Sequence, residues 1–119
     1  RSYSVTGVQT CALPISSVLL EFSMFPTDKG ESKSEYVSKI VEYVRSSGYV
    51  YQLTPMATII ETNTIDEAFD IVKNCYKILD EAGCNRVYSI LKFDIRKNKQ
   101  NRMKTKIDSI VTKIGDVNK

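Results

Sequence analysis

The side chains of this sequence that could do chemistry are carboxylates and hydroxyls, because the chain contains no histidine. That absence excludes Ser-His-Asp and Cys-His nucleophile systems and histidine-ligated metals. Glu21, Glu61 and Asp94 lie in stretches that alternate like strands, and two close carboxylates can support acid–base catalysis. No phosphate-binding loop, nucleophile elbow or metal-ligand cluster accompanies them. We therefore predict a protein that is not an enzyme and that uses no metal and no cofactor.

Length, charge and cysteine content indicate a small globular protein. The chain has 119 residues and is 42% hydrophobic and 26% charged, which suits one domain with its own core. Its net charge of +3 is too small to indicate a nucleic-acid partner. No apolar run approaches the roughly 20 residues of a membrane helix, so we predict no membrane association. The three cysteines form no CxxC motif, which predicts reduced thiols and a cytoplasmic location.

The N-terminal segment differs from the rest of the chain. Its residues 5–15, VTGVQTCALPI, resemble the translation of a sequencing-adapter oligonucleotide. The segment also lacks the basic region and sustained apolar run of a signal peptide. We therefore expect residues 1–16 to be a non-native, disordered leader, residues 17–115 to form a single domain, and residues 116–119 to be a tail.

The elements that must position the carboxylates follow from hydrophobic periodicity. Period-two alternation predicts strands at residues 17–25, 49–53, 57–62 and 86–96. Helical spacing predicts a helix after the first, third and fourth strands. The three apolar stripes are Val37, Ile40, Val41 and Val44; Ile65, Ala68, Phe69, Val72, Tyr76 and Leu79; and Met103, Ile107, Ile110, Val111 and Ile114. Thr64 and Glu67 have capping-box spacing, and the basic residues 96–106 are interpreted as a solvated helix start.

The order β-α-β-β-α-β, followed by a C-terminal helix, predicts the fold. It is typical of a ferredoxin-like βαββαβ sandwich of the α+β class, a four-stranded antiparallel sheet with two helices on one face. We expect strand one to pair with strand three, which makes Glu21 and Glu61 neighbours and separates Glu21 from Asp94. The predicted helix face holds Val18, Leu20, Phe22, Tyr51, Leu53, Leu91 and Phe93. The opposite face, called the open face below, holds Leu19, Glu21, Ser23, Val50, Gln52, Thr54, Ile59, Glu61, Ile90, Lys92 and Asp94.

The open face is too apolar to be simply hydrated, so it needs a cover. One interpretation is a dimer interface between sheets, in which the acids pair with Lys92, Arg96 or cations of a second chain. The other is that the same face, or its edge at a subunit junction, also holds a small ligand, since partly apolar concavities with a few polar groups are ordinary ligand sites. Carboxylates there would suit a cationic ligand or one with an amidine-like edge.

Several segments carry a family resemblance. YQLTPMATIIE at residues 51–61 resembles the signature run of the small thiamine-binding protein family, the YkoF-like group. LEFSMFP at residues 20–26 is similar to the first strand of that family. LKFDIRKNKQNRMKTKI at residues 91–107 is similar to its last strand and closing helix. The sequence departs from the family pattern at Gln52, where an acid is common, and at Ala57, where glycine is usual.

The resemblance implies a ferredoxin-like subunit that dimerises sheet to sheet, as a homodimer or as a dimer of dimers (a homotetramer). It also implies non-catalytic binding of thiamine or its hydroxymethylpyrimidine moiety. The candidate ligand-binding residues are Glu21, Ser23, Thr54, Met56, Thr58, Glu61 and Asp94. Glu61 or Glu21 could offset the thiazolium cation. Ser23, Thr54 or a carboxylate could meet the aminopyrimidine edge, and Phe25, Met56 or a tyrosine could pack on a ring. The alternative is a self-associating scaffold or regulatory protein with no small-molecule ligand.

Overall fold

The computed structural model describes residues 16–31 and 33–119. Of the leader predicted at residues 1–16, residues 1–15 lie outside the described residues, and Ser16 is the first residue of a strand. The elements are β1 (Ser16–Pro26), α1 (Lys33–Ser46), β2 (Val50–Leu53), β3 (Thr58–Thr62), α2 (Ile65–Glu81), β4 (Val87–Lys97) and α3 (Arg102–Ile114). None of these helices has the length and apolar character that crossing a lipid bilayer would require.

The sheet has the strand order β2-β3-β1-β4, and all neighbouring strands are antiparallel. This confirms the predicted α+β ferredoxin-like arrangement. β1 pairs with β3 as predicted, but it also pairs with β4 from Ser16 opposite Lys97 to Pro26 opposite Val87. The expectation that strand four is not a neighbour of strand one is therefore wrong. An inner strand has two edges, and an alternation pattern reveals only the two faces of a strand.

The register places the acids of the open face around the middle of β1. Leu19 lies opposite Glu61 on β3 and opposite Asp94 on β4. Glu21 lies opposite Ile59 and Lys92. Glu21 is therefore diagonal to both other acids rather than next to Glu61 alone.

The core lies between the helix face of the sheet and the two helices α1 and α2. The side chains of Val18, Leu20, Phe22 and Met24 point to this side of β1, and each is at most 5% exposed. Ile60 of β3 completes the central row. Because α1 and α2 both follow strands of this sheet and cover the same face, α3 is the one helix among the described elements that contacts the open face.

The buried stripe of α2 differs from the prediction by part of a turn. Its buried residues are Ala68, Ile71, Cys75 and Leu79, whereas Ile65, Phe69 and Tyr76 are exposed by 40% or more. Ile71 was not predicted as a core residue. The large aromatic side chains instead lie along the flank of the helix, where Phe69 packs its ring against Phe93 of β4 with centroids 5.3 Å apart.

The helix boundaries follow local signals. Thr64 accepts a hydrogen bond from the amide of Glu67, whose carboxylate accepts one from the Thr64 amide, so the predicted capping box is confirmed. Gly48 follows α1 with φ of 87°, a left-handed conformation that favours glycine. The third helix ends before Gly115, as predicted. Met103, Ile107 and Val111 of α3 are half-buried, while Ile114 is 72% exposed.

Candidate functional site

A cavity of about 450 Å³ opens between the C-terminal end of β1 and the turn that joins β2 to β3. Its polar wall consists of Ser23, Thr54, Thr58 and Tyr88, and its apolar wall consists of Phe22, Met24, Phe25, Val37, Ile40, Leu53, Pro55, Met56, Ala57 and Ile90. Among the described residues that line it, none carries a charge. The cavity is of the size and apolar character of ordinary small-molecule sites.

The cavity exists because β1 is longer than the strand beside it. Pairing of β1 with β3 stops at Phe22 opposite Thr58, while pairing with β4 continues to Pro26. The β2–β3 turn does not extend the β1–β3 ladder. The amide of Thr54 donates to the carbonyl of Ala57 at 2.9 Å, and the chain turns back toward β2 at this point. A gap therefore separates the end of β1 from the turn.

The hydroxyl of Thr54 holds this turn in shape. Its Oγ1 donates to the carbonyl of Ala57 at 2.8 Å and accepts from the amides of Ala57 and Met56 at 3.0 and 3.3 Å. Such side-chain bonds to nearby backbone are typical of threonine in turns. Thr54 therefore shapes the cavity wall, whereas Ser23 and Thr58 line the cavity from its β1 and β3 sides.

Two aromatic rings form the end of the cavity on the open face. Phe25 and Tyr88 lie opposite each other on β1 and β4, with ring centroids 5.6 Å apart and a tilt of 46°. The ammonium group of Lys33, at the start of α1, lies 4.9 Å from the Phe25 centroid. The sequence proposed Phe25 or a tyrosine as a stacking residue but did not say which tyrosine, and Tyr88 is the tyrosine that lines this cavity. These rings can pack against a flat ligand.

Glu21 and Asp94 lie outside this cavity, in a shallow cleft of about 120 Å³ on the open face. Leu19, Ile59, Lys92 and Phe93 form the rest of that cleft. The Lys92 ammonium is 3.8 Å from the Glu21 carboxylate, and both side chains are substantially exposed. An exposed pair of this kind contributes little to stability. Glu21 is two residues before Ser23 and therefore shares its face of β1.

Glu61 is engaged by the first turn of α3. Its carboxylate accepts hydrogen bonds from the amides of Arg102 and Met103 at 3.0 and 3.3 Å and from the hydroxyl of Ser17 at 2.5 Å. Burial alone would raise the pKa of Glu61, but the hydrogen bonds lower it by more than burial raises it. The pKa of Glu61 therefore lies below the usual 4.5. The group acts as a cap that a strand supplies to a distant helix, with favourable charge for the helix dipole.

Asp94 belongs to the same anchor of α3. Its carboxylate lies 3.0 Å from the guanidinium of Arg102 and 2.8 Å from the ammonium of Lys106, and both cations hold its pKa below the usual value. Arg102 is only 5% exposed. Its guanidinium also donates to the hydroxyl of Ser17 at 2.9 Å, to the carbonyl of Ser17 at 2.9 Å and to the carbonyl of Asp94. The interpretation of the whole basic run as a solvated helix start is therefore wrong at Arg102.

The predicted ligand residues thus occupy three places. The cavity brings together Ser23, Thr54, Met56 and Thr58, and Met56 stands at its rim with 86% exposure. Glu21 faces the shallow cleft that Asp94 also lines, and Glu61 holds the start of α3. Sequence reasoning missed Ser17 and Arg102, because no local pattern connects residues 85 positions apart. Within the part of the chain that the structure describes, no group of carboxylates and cysteines could hold a metal ion.

Comparison with known proteins gives a consistent result. The family described as thiamine-binding protein matches residues 20–111 of the chain. A UPF0045 protein of Methanothermobacter thermautotrophicus is 32% identical over 83 residues, which cover 70% of this chain and 84% of that protein. A UPF0045 protein of Clostridium perfringens is 35% identical over 78 residues, covering 66% of this chain and 81% of that protein.

Solved structures share the fold. A hypothetical protein of Methanocaldococcus jannaschii superimposes with a TM-score of 0.68 at 33% identity, over 79% of this chain and 95% of that one. A putative thiamine biosynthesis/salvage protein of Thermotoga maritima superimposes with a TM-score of 0.58 at 23% identity, over 76% of this chain and 96% of that one, and supports the fold alone. From the match over residues 20–111, we conclude that the chain belongs to the thiamine-binding protein family.

Proposed function

We propose that the protein binds thiamine or its hydroxymethylpyrimidine moiety, without a catalytic step, in the cavity between β1 and the β2–β3 turn. The observation that supports this best is that four residues expected to contact ligand, Ser23, Thr54, Met56 and Thr58, line one cavity of about 450 Å³. Family membership supports the class of ligand. The rings of Phe25 and Tyr88 supply a surface on which a flat heterocycle can pack.

The ligand would lie along β1. An uncharged pyrimidine suits the cavity, whose described lining carries no charge. The thiazolium would then extend over the open face toward Glu21, which precedes Ser23 on the same side of the strand. Its carboxylate, now 3.8 Å from Lys92, would offset the positive charge. Glu61 and Asp94 would act indirectly in this proposal, by fixing α3 against the sheet.

Titration calorimetry with thiamine and with hydroxymethylpyrimidine tests the proposal. We expect both ligands to bind, and Ser23→Leu to abolish the binding heat because the larger side chain fills the cavity. Ser109→Leu is the matched control, since Ser109 is exposed on α3 and outside the cavity lining. Circular dichroism checks that both variants are folded. If neither ligand gives binding heat at up to about millimolar concentration, which corresponds to a binding free energy of roughly −4 kcal/mol, the proposal is refuted.

The second candidate function is self-association through the open face, with or without a ligand. Tyr88 and Ile90 are neighbours on this face of β4 and are 51% and 53% exposed, and Val50 on the opposite edge strand β2 is 59% exposed. Contiguous exposed apolar surface is typical of interaction sites. We propose a homodimer or a dimer of dimers joined through this surface. Light scattering after size-exclusion chromatography should give a multimer for the native chain and a smaller species for Ile90→Lys, and a native monomer would exclude this assembly.

We propose that this binding takes place in the reducing cytoplasm. Cys75 and Cys84 are free thiols within the core, which is compatible with a reducing compartment. Burial raises the pKa of the Cys75 thiol to about 12, so this group is protonated and unreactive at neutral pH. Mapping of thiols after alkylation in intact cells should find both residues reduced, and a disulfide on either one would contradict this location.

A further inference from the structure

The free edge of β1 presents backbone hydrogen-bonding groups to the cavity. The amide of Thr27 donates to the carbonyl of Arg86 at 2.9 Å, in register with the β1–β4 ladder. Backbone groups of successive residues in a strand point alternately to its two edges. Phe25 and Ser23 therefore pair with β4, whereas the amide and carbonyl of Met24 point away from β4, toward the side on which β3 has ended.

The backbone amide and carbonyl of Met24 need hydrogen-bond partners because the residue is buried. The residue is only 5% exposed, and buried backbone amides and carbonyls are nearly always hydrogen-bonded. The strand beside β1 begins only at Thr58, which pairs with Phe22. Within residues 16–31 and 33–119, no hydrogen bond connects Met24 to the Thr54–Ala57 turn across the gap. Pro26, the next residue with the same orientation, has no amide to donate.

We propose that the backbone of Met24 recognises the edge of a 4-aminopyrimidine ring that enters the cavity. This inference rests on the proposed function and deepens it. The Met24 amide donates to the ring nitrogen beside the amino group, and the Met24 carbonyl accepts from that amino group. The ring takes the place of the missing residue of β3, while Phe25 and Tyr88 contact the part that extends to the open face. The turn residues Thr54 and Ala57 close the other side.

This geometry predicts which heterocycles are bound. A 4-oxo analogue of the pyrimidine carries a donor at the ring nitrogen and an acceptor beside it, so both contacts with Met24 become repulsive. We expect the oxo analogue to bind roughly 100-fold more weakly, or worse, because a site built to pair with polar groups rejects a ligand that leaves them unpaired. The isolated thiazole half of thiamine lacks this edge and should not enter the cavity.

The test is a nitrogen-15 NMR titration of the full chain with three compounds: the aminopyrimidine alcohol, its oxo analogue and the thiazole alcohol. With the aminopyrimidine, the Met24 amide proton should shift downfield and its hydrogen exchange should slow at least tenfold. The Leu20 amide is the internal control, because Leu20 has the same orientation but is paired with Ile60 of β3. Met24→Leu, which keeps the backbone, should retain affinity within a few-fold.

The outcomes separate this inference from the proposed function. If thiamine binds while the Met24 amide neither shifts nor becomes protected, the proposed function stands and backbone recognition is overturned. Equal affinity for the amino and oxo compounds would overturn it as well. If thiamine does not bind but the aminopyrimidine shifts the Met24 amide at millimolar concentration, the cavity assignment stands and thiamine is the wrong ligand. No shift with the aminopyrimidine at that concentration overturns the inference.

Discussion

The carboxylate of Glu61, on the inner strand β3, accepts a hydrogen bond of 3.0 Å from the backbone amide of Arg102, the first residue of α3. The helix has no cap of its own, because Asn101 before it is left-handed and its side chain makes no capping bond. Glu61 therefore replaces a local cap with one that lies 41 residues away in the chain. The open face and the third helix are joined at this point.

Neutralising Glu61 should loosen α3. Glu61→Gln keeps the shape of the side chain but removes the charge that strengthens the bonds from Ser17 and from the amides of Arg102 and Met103. We expect the free energy of unfolding to fall by about 1–3 kcal/mol, measured by urea denaturation. Glu21→Gln makes the same change in an exposed pair of the same face and should cost less than about 1 kcal/mol. Equal effects of the two substitutions would contradict the capping role.

Stability should depend on pH through the same carboxylate. The pKa of Glu61 in the folded protein lies below its usual 4.5, so the charged form is favoured by folding. Its contribution is complete above about pH 5 and is lost as the pH falls through the folded pKa. Unfolding free energies measured between pH 6 and pH 3 should therefore decrease less steeply in Glu61→Gln than in the native chain. Parallel curves would show that Glu61 is not the titrating group.

Arg102 should not tolerate replacement by lysine. Its guanidinium bonds to both the hydroxyl and the carbonyl of Ser17 and pairs with the carboxylate of Asp94. A lysine ammonium cannot reach these acceptors with one planar group. We expect Arg102→Lys to lower the free energy of unfolding by about 2 kcal/mol and to speed hydrogen exchange in α3. Arg96→Lys, at an exposed position of β4, is the control and should leave both quantities unchanged.

The turn that closes the cavity should depend on the Thr54 hydroxyl. Thr54→Val keeps the shape of the residue but removes the bonds to Met56 and Ala57, and we expect it to destabilise the fold by about 1–2 kcal/mol. Ligand affinity should fall as well, because the wall of the cavity becomes mobile. Thr54→Ser restores the hydroxyl and should recover both stability and affinity. If Thr54→Val binds as tightly as Thr54→Ser in calorimetry, the turn does not shape the site.

The sequence was sufficient for the elements and faces, because each depends on spacing within a short stretch. The alternation around Leu20 and Phe22 identified the buried face of β1, and Thr64 with Glu67 identified the start of α2. The motif around Thr54 located part of the cavity wall, since Ser23, Thr54, Met56 and Thr58 come together there.

The contacts of α3 and the shape of the cavity depend on long-range register, which local patterns do not carry. Nothing near Arg102 in the sequence indicates that Ser17 and Asp94 are its partners. The gap at Met24 arises from the difference in length between β1 and β3, and the alternation of β1 continues unchanged through it. The carboxylates of Glu61 and Asp94 were predicted to bind a ligand because a carboxylate suits a cation. Their contacts with α3 form only when the sheet is assembled, so the sequence did not reveal them.

The unpaired end of β1 also bears on solubility. An open strand edge can template pairing with the edge of another chain, which is a common start of aggregation. Here the edge beyond Phe22 is only four residues long, and its last residue is Pro26, which cannot donate to an added strand. The Thr54–Ala57 turn lies across the cavity from this edge and sterically hinders the approach of a second chain. The fold thus keeps a backbone edge available to a small molecule while denying it to a neighbouring polypeptide.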